Sequence, residues 1–98
     1  MIVDAATDTL SYAASLLDAV GAERDHVPAE VSLDCLYAAE LLELAGGRTE
    51  PVPLIDGDPA ASIRGAMGAL GRLDERTFAS GPVLDAARAA RHALRRLG

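Results

Sequence analysis

Apolar residues recur along the first part of this chain at alternating spacings of three and four, the period of one helix face. Six positions share this stripe: Val3, Ala6, Leu10, Ala13, Leu17 and Val20. Asp4 is a residue type that caps helix starts, and Gly21 is a type that ends helices. The pattern therefore predicts a first helix that ends at Gly21.

A second helix is predicted from Pro28 to Gly46-Gly47, because proline suits the first helical position and glycine suits the end. One stripe of this segment consists of Val31, Cys35, Ala38, Leu42 and Ala45. A further set widens it: Leu33, Leu36, Tyr37, Leu41 and Leu44. Since a helix that is apolar around much of its circumference is typically buried, we expect this helix to be the most buried of the four.

Residues 46–58 contain two prolines and three glycines, so they predict one long, non-helical connection. Its apolar residues 52, 54 and 55 are expected to cover one end of the structure rather than form an unpaired strand. Such a long connection also permits a crossover topology.

Asp58-Pro59 predicts the start of a third helix, with a carboxylate cap followed by proline. Its stripe is expected to include Ile63, Met67, Leu70 and Leu73 with Ala66. Gly65, Gly68 and Gly71 interrupt it, which indicates either close helix packing or local mobility. Ser80-Gly81-Pro82 predicts the start of the last helix. The sequence thus predicts one all-α domain over residues 1–98, a four-helix bundle with one long connection.

The composition favours a small acidic cytoplasmic protein. Half of the 98 residues are apolar, yet no stretch approaches the roughly 20 uncharged residues that a membrane span needs. The N-terminus lacks the charge and apolar run of a secretory signal. All nine basic residues are arginine, a bias that suggests a GC-rich bacterial genome.

The charges are unevenly distributed along the chain. Residues 1–63 carry twelve acidic residues and two arginines, a net charge of −10, whereas residues 64–98 carry seven arginines and three acidic residues, a net charge of +4. Compensating faces within one chain, a homo-oligomer, or a charged external partner would each explain this asymmetry. The basic cluster at the end of the last helix is the candidate interaction surface: Arg88, Arg91, His92, Arg95 and Arg96. The overall net charge of −6 disfavours nucleic acid as the partner.

The motifs predict no catalytic, cofactor or metal site. Glu40 and Glu43 have the spacing of a bundle metal site, but their helix has no histidine. The single cysteine, Cys35, stands among apolar neighbours, so we expect it to be a buried packing residue. No nucleophile signature or phosphate-binding glycine loop is present.

Two short resemblances supply alternatives. Arg88 and His92 near the end of a helical bundle look like the arginine and histidine of HEPN ribonuclease-type domains, although only three residues separate them here. Ser32-Leu33-Asp34 resembles the phosphopantetheine-attachment motif of acyl carrier proteins, but Val31 stands where those families have aspartate. The first implies a small nuclease or hydrolase that uses Arg88 and His92, and the second implies a carrier modified at Ser32.

The pattern favours a non-enzymatic interaction or regulatory module above these alternatives. Its expected partner is itself or another protein, contacted through apolar helix surface and charged flanks. This expectation depends on helical periodicity without a convergent set of catalytic groups.

Overall fold

The computed structural model describes residues 5–97, and every regular element in that range is helical. The elements are α1 (Ala5–Gly21), α2 (Ala29–Leu44), a 3₁₀ turn (Ile55–Gly57), α3 (Pro59–Leu70), α4 (Glu75–Phe78) and α5 (Gly81–Leu97). The all-α prediction is confirmed, and the four long helices pack into a compact bundle. The predicted cap Asp4 and the stripe residue Val3 lie outside the described residues.

Local capping chemistry explains most of the helix boundaries. The Asp58 carboxylate accepts a hydrogen bond of 3.0 Å from the backbone N–H of Ala60, and Pro59 occupies the first helical position, as predicted. Pro28 differs slightly from its prediction, because it caps α2 in an extended conformation instead of starting it. After α2, Gly46 has a φ of +113°, a conformation that glycine adopts readily and that ends the helix.

A short helix, α4, was not predicted, and the third helix is shorter than its stripe implied. α3 ends at Leu70, so Leu73 lies beyond it. The Asp74 carboxylate then accepts a hydrogen bond of 2.8 Å from the backbone N–H of Thr77 and starts α4. This hydrogen bond lowers the pKa of Asp74. Asp74 is a residue type that caps helix starts. The four helical residues after it are too few to show a helical period in the sequence.

Each long helix packs mainly against two others. α1 and α5 both contact α2 and α3. The Ser32 hydroxyl at the start of α2 donates to the Gly21 carbonyl at the end of α1, so these two helices are antiparallel. His92, near the end of α5, contacts Asp34, near the start of α2, so α2 and α5 are antiparallel as well.

The long connection runs lengthwise beside α1. The backbone N–H groups of Arg48 and Glu50 donate to the hydroxyls of Ser11 and Ser15, which lie one turn apart on α1. The N–H of Ile55 then donates to the Ser62 hydroxyl at the start of α3. α3 therefore starts at the same end of the bundle as α2, a crossover topology with one long connection.

The connection differs only in part from its expected position: residues 48–50 follow the side of α1, whereas Pro53 and Leu54 reach the end of the bundle and line a cleft with Glu23 and His26. The physical reason for the path along α1 is the pair of serine hydroxyls, which accept hydrogen bonds from backbone N–H groups that would otherwise face solvent. Leu54 and Ile55 pack against the core, whereas Val52 remains exposed. As expected, the segment forms no strand.

Close packing explains one of the three glycines in the predicted third helix. A Cβ at Gly65 would lie 2.6 Å from Ile55 Cδ1 and 3.4 Å from Leu16 Cδ1, so glycine lets the connection approach α3. Gly68 faces open space, and Gly71 caps the helix end. The core itself combines a few large aliphatic side chains from α1, α2 and α3 with the small residues of α5.

The prediction that the second helix is the most buried is wrong. α1 buries eight of its 17 residues, whereas α2 buries six of 16. Three large apolar residues of α2 are exposed: Leu33, Tyr37 and Leu44. Four helices around one core can cover only one face of α2, so its second apolar set faces solvent. None of the helices between residues 5 and 97 has the length and apolar character that crossing a membrane requires.

Candidate functional site

The basic cluster of α5 divides into residues that hold the bundle together and residues that do not. His92 Nδ1 lies 2.6 Å from Asp34 Oδ2, and Arg96 contacts the Glu30 carboxylate, so both join α5 to α2. Arg88 lies 3.7 Å from Asp85 on its own helix. Arg91 and Arg95 form no ion pair within residues 5–97. The acidic and basic halves therefore compensate each other in part within the chain.

These contacts are polar and solvent-accessible, which limits their contribution to stability. About half of the His92 and Arg96 side-chain surface is exposed. Exposed ion pairs typically contribute about 0.2–1 kcal/mol, because water and salt screen the charges. The seam between α2 and α5 thus orients the two helices, while the buried apolar residues supply most of the stability.

Arg88 and His92 lie one turn apart on the open surface of α5. Their side chains are 70% and 55% exposed, and neither lines a cleft that Tyr37, His26, Arg24, Asp8 or Thr49 lines. The pair resembles an acid–base site in one respect, because the Asp34 carboxylate can orient the His92 ring. The nuclease hypothesis stays a prediction, and it requires a substrate that binds on a convex helix surface.

Cys35 and Ser32 both have structural positions in α2. Cys35 is fully buried, and this burial, with a smaller effect of the Asp34 charge, raises the pKa of its thiol from 9.0 to about 12. The thiol is therefore protonated and weakly nucleophilic near neutral pH. The Ser32 hydroxyl is buried and donates a 2.6 Å hydrogen bond to Gly21, a geometry that opposes attachment of a carrier arm. Among residues 5–97, no group of three histidine, cysteine or carboxylate side chains is arranged to hold a metal ion.

The outer face of α2 is the surface that the sequence interpretation missed. We define this outer face as Leu33, Leu36, Tyr37, Leu41 and Leu44. Leu33 is 67% exposed, Tyr37 53% and Leu44 74%, while Leu36 and Leu41 are half-buried at its sides. At 100° per residue, the three exposed side chains lie directly opposite the buried Cys35. The outer face is thus a second apolar stripe whose three exposed side chains face solvent, whereas Leu41 packs partly against the core and Leu36 lies beside Gly21.

Two shallow clefts lie along the outer face and differ in charge. The Arg24 cleft, at the N-terminal end of α2, is lined by Arg24, Ala29, Ser32, Leu33 and Leu36. The Glu43 cleft, at the C-terminal end, is lined by Tyr37, Glu40, Leu41, Glu43 and Leu44. Each cleft is mainly apolar, and the first has a cation at its edge whereas the second has two carboxylates.

A signal for this surface was present in the sequence. Leu33, Tyr37, Glu40 and Leu44 follow one another at spacings of four, three and four, so three of these four positions are apolar. The buried stripe that begins at Val31 and Cys35 has the same spacing. Two such stripes on one helix require two partners, but the pattern alone does not say which stripe the bundle covers.

A comparison of the chain with models of known protein families, with curated proteins and with solved structures finds no match.

Proposed function

We propose that this chain is a non-enzymatic protein-interaction module whose contact surface is the outer face of α2. The observation that carries the proposal is the position of Leu33, Tyr37 and Leu44 on one solvent-facing stripe. A single exposed leucine is ordinary on a protein surface, because much of any surface is apolar. Three large apolar side chains in a row, with two more at their sides, form a contiguous patch typical of a protein contact site.

The chemistry of the outer face favours a folded protein surface or a helix as its ligand. The surface is shallow and extends along a helix of 16 residues, about 24 Å, which suits side chains from another helix. Glu40 and Glu43 border it and form no ion pair within residues 5–97, so they disfavour a polyanion such as a nucleic acid.

Photocrosslinking in cells of the source organism tests this function. Leu44 and, in a matched control, Arg64 on α3 are each replaced by the photoreactive amino acid benzoylphenylalanine. We expect the first chain to form a covalent adduct with a protein, because its side chain lies on the outer face, and the second to form none. An absence of protein adducts at position 44, with the folded chain present, would contradict the proposal.

The cytoplasm is the proposed place of this interaction, following the sequence-based expectation. Fractionation of cells that express the tagged full chain measures this directly. Recovery of the chain with membranes or outside the cell would contradict this part of the proposal.

A further inference from the structure

The apolar positions of the outer face are arranged symmetrically about the middle of α2. Leu33 and Leu44 are equally far from the midpoint between Ala38 and Ala39, and so are Leu36 and Leu41. Tyr37 and Glu40 form the central pair of this arrangement. A two-fold axis at the level of that midpoint would place Leu33 opposite the partner's Leu44, and Tyr37 at the level of the partner's Glu40, in a second, antiparallel helix. Leu36 and Leu41 would flank this contact on its two sides.

We propose that the occupant of this surface is a second copy of the same chain, packed through an antiparallel contact between two α2 helices. The inference rests on the proposed function and names its partner. The four, three, four spacing is that of the seam between two packed helices, where side chains of one fit between those of the other. Leu33 would pack against Leu44 of the partner subunit, at both ends of the contact.

The same symmetry makes the charges complementary. The two-fold axis places the Arg24 cleft of one subunit against the Glu43 cleft of the other, because the clefts lie at opposite ends of the outer face. Arg24 then faces the partner's Glu43, which carries the opposite charge. A parallel contact would instead bring Glu43 beside the partner's Glu43, where like charges repel.

The centre of the contact also has a polar match. Tyr37 lies opposite Glu40 of the partner subunit, so its phenol can donate a hydrogen bond to that carboxylate. Glu40 would otherwise face an apolar surface without a hydrogen-bond donor, which is costly. This pairing fixes the register, because a shift by one turn would place Glu40 against leucine.

The size of the surface sets the expected affinity. One face of a 16-residue helix is smaller than the roughly 800 Å² per subunit that standard stable interfaces bury. We therefore expect a reversible dimer with a dissociation constant of about a micromolar or weaker.

Directed disulfide formation tests the orientation. Chains with Leu33→Cys or with Leu44→Cys are oxidised separately and as a mixture. Cys35 is kept in both chains, because its buried and protonated thiol should not form a disulfide. In the antiparallel dimer, positions 33 and 44 of different chains are adjacent, whereas identical positions lie about 16 Å apart, too far for a disulfide. We expect a mixed disulfide in high yield and little of either homodimer. Preferential disulfides between identical positions would overturn the antiparallel arrangement.

Charge exchange tests the contact between the clefts by sedimentation equilibrium. Arg24→Glu and Glu43→Arg should each weaken dimerisation roughly fivefold, and the double variant should restore it, because the pairs form again with reversed signs. Asp8→Arg, the same type of charge change on the side of α1 that faces the connection, should leave dimerisation unchanged. Equal losses in the single and double variants would overturn the pairing.

Failure of the dimer is distinguishable from failure of the proposed function. A strict monomer at concentrations up to about 1 mM would overturn this inference. If the photoreactive chain then still forms an adduct with a different protein at position 44, the interaction function stands without self-association. If it forms no protein adduct, both proposals are wrong.

Discussion

α2 and α5 are neighbours of nearly equal length, 16 and 17 residues, yet they use their apolar residues differently. α5 buries one stripe of small side chains and turns its arginines to the opposite side. α2 buries Val31, Cys35, Ala38 and Leu42 on one face and exposes leucine and tyrosine on the other. The bundle therefore accounts for the whole pattern of α5 but only for half of that of α2.

This difference separates residues that fold the chain from residues that are available for contact. A surface helix needs one apolar stripe to join a core, and a polar opposite face keeps it in solution. The second stripe of α2 leaves apolar area exposed to water, which is unfavourable in an isolated chain. Substitutions on the two faces should accordingly affect different measurements.

The largest expected effect comes from comparing two leucines of the same helix. Leu42→Ala removes a fully buried side chain and should lower the free energy of unfolding by about 2–5 kcal/mol, because it leaves a cavity. Leu44→Ala, on the outer face, should change it by no more than about 0.5 kcal/mol. Urea denaturation of dilute protein measures both. A similar loss for the two variants would show that the outer face belongs to the fold.

A second contrast concerns the tight packing of α5. Ala90 is fully buried, so Ala90→Leu should destabilise the bundle by about 1–3 kcal/mol through overpacking. Arg91→Leu is the matched control on the exposed side and should change stability by at most about 0.5 kcal/mol. Thermal and urea unfolding check this. Tolerance of leucine at position 90 would mean that α5 packs loosely against the core.

The buried thiol of α2 predicts a loss of stability at high pH. The pKa of Cys35 is raised from 9.0 to about 12, so between these values the folded chain retains a proton that the unfolded chain releases. The free energy of unfolding should then fall as pH rises above 9, by up to about 1.4 kcal/mol per pH unit. Urea unfolding from pH 8 to 11 measures the slope. Cys35→Ala should flatten it, and an unchanged slope would assign the effect to other groups.

The smallest expected effect lies at the polar seam between α2 and α5. Glu30→Gln removes the contact with Arg96 and should lower the free energy of unfolding by about 0.2–1 kcal/mol at low salt. Added salt should reduce this difference, because it screens exposed charges. Glu50→Gln, an exposed carboxylate of the connection that forms no ion pair within residues 5–97, is the matched control. Equal, salt-independent effects of the two variants would contradict a role for the seam.

Local signals were sufficient where one residue and its backbone decide the structure. Asp58-Pro59 starts a helix, and Gly46 ends one, because capping and φ preferences act within a few residues. The short helix α4 was missed because four residues carry too little periodicity. The basic cluster of α5 was visible as a pattern, but its division into seam residues and exposed arginines depends on Asp34 and Glu30, more than 50 residues away.

The order of residues alone determined the all-α class, the capped helix boundaries and which residues form the long connection, because these follow from hydrophobic period and backbone preference. Only the tertiary structure decided which stripe of α2 is buried and that the connection follows α1. Two apolar stripes on one helix are equivalent locally, and the choice between them arises when α1 and α5 cover one side. The candidate contact surface is the side that those helices leave open.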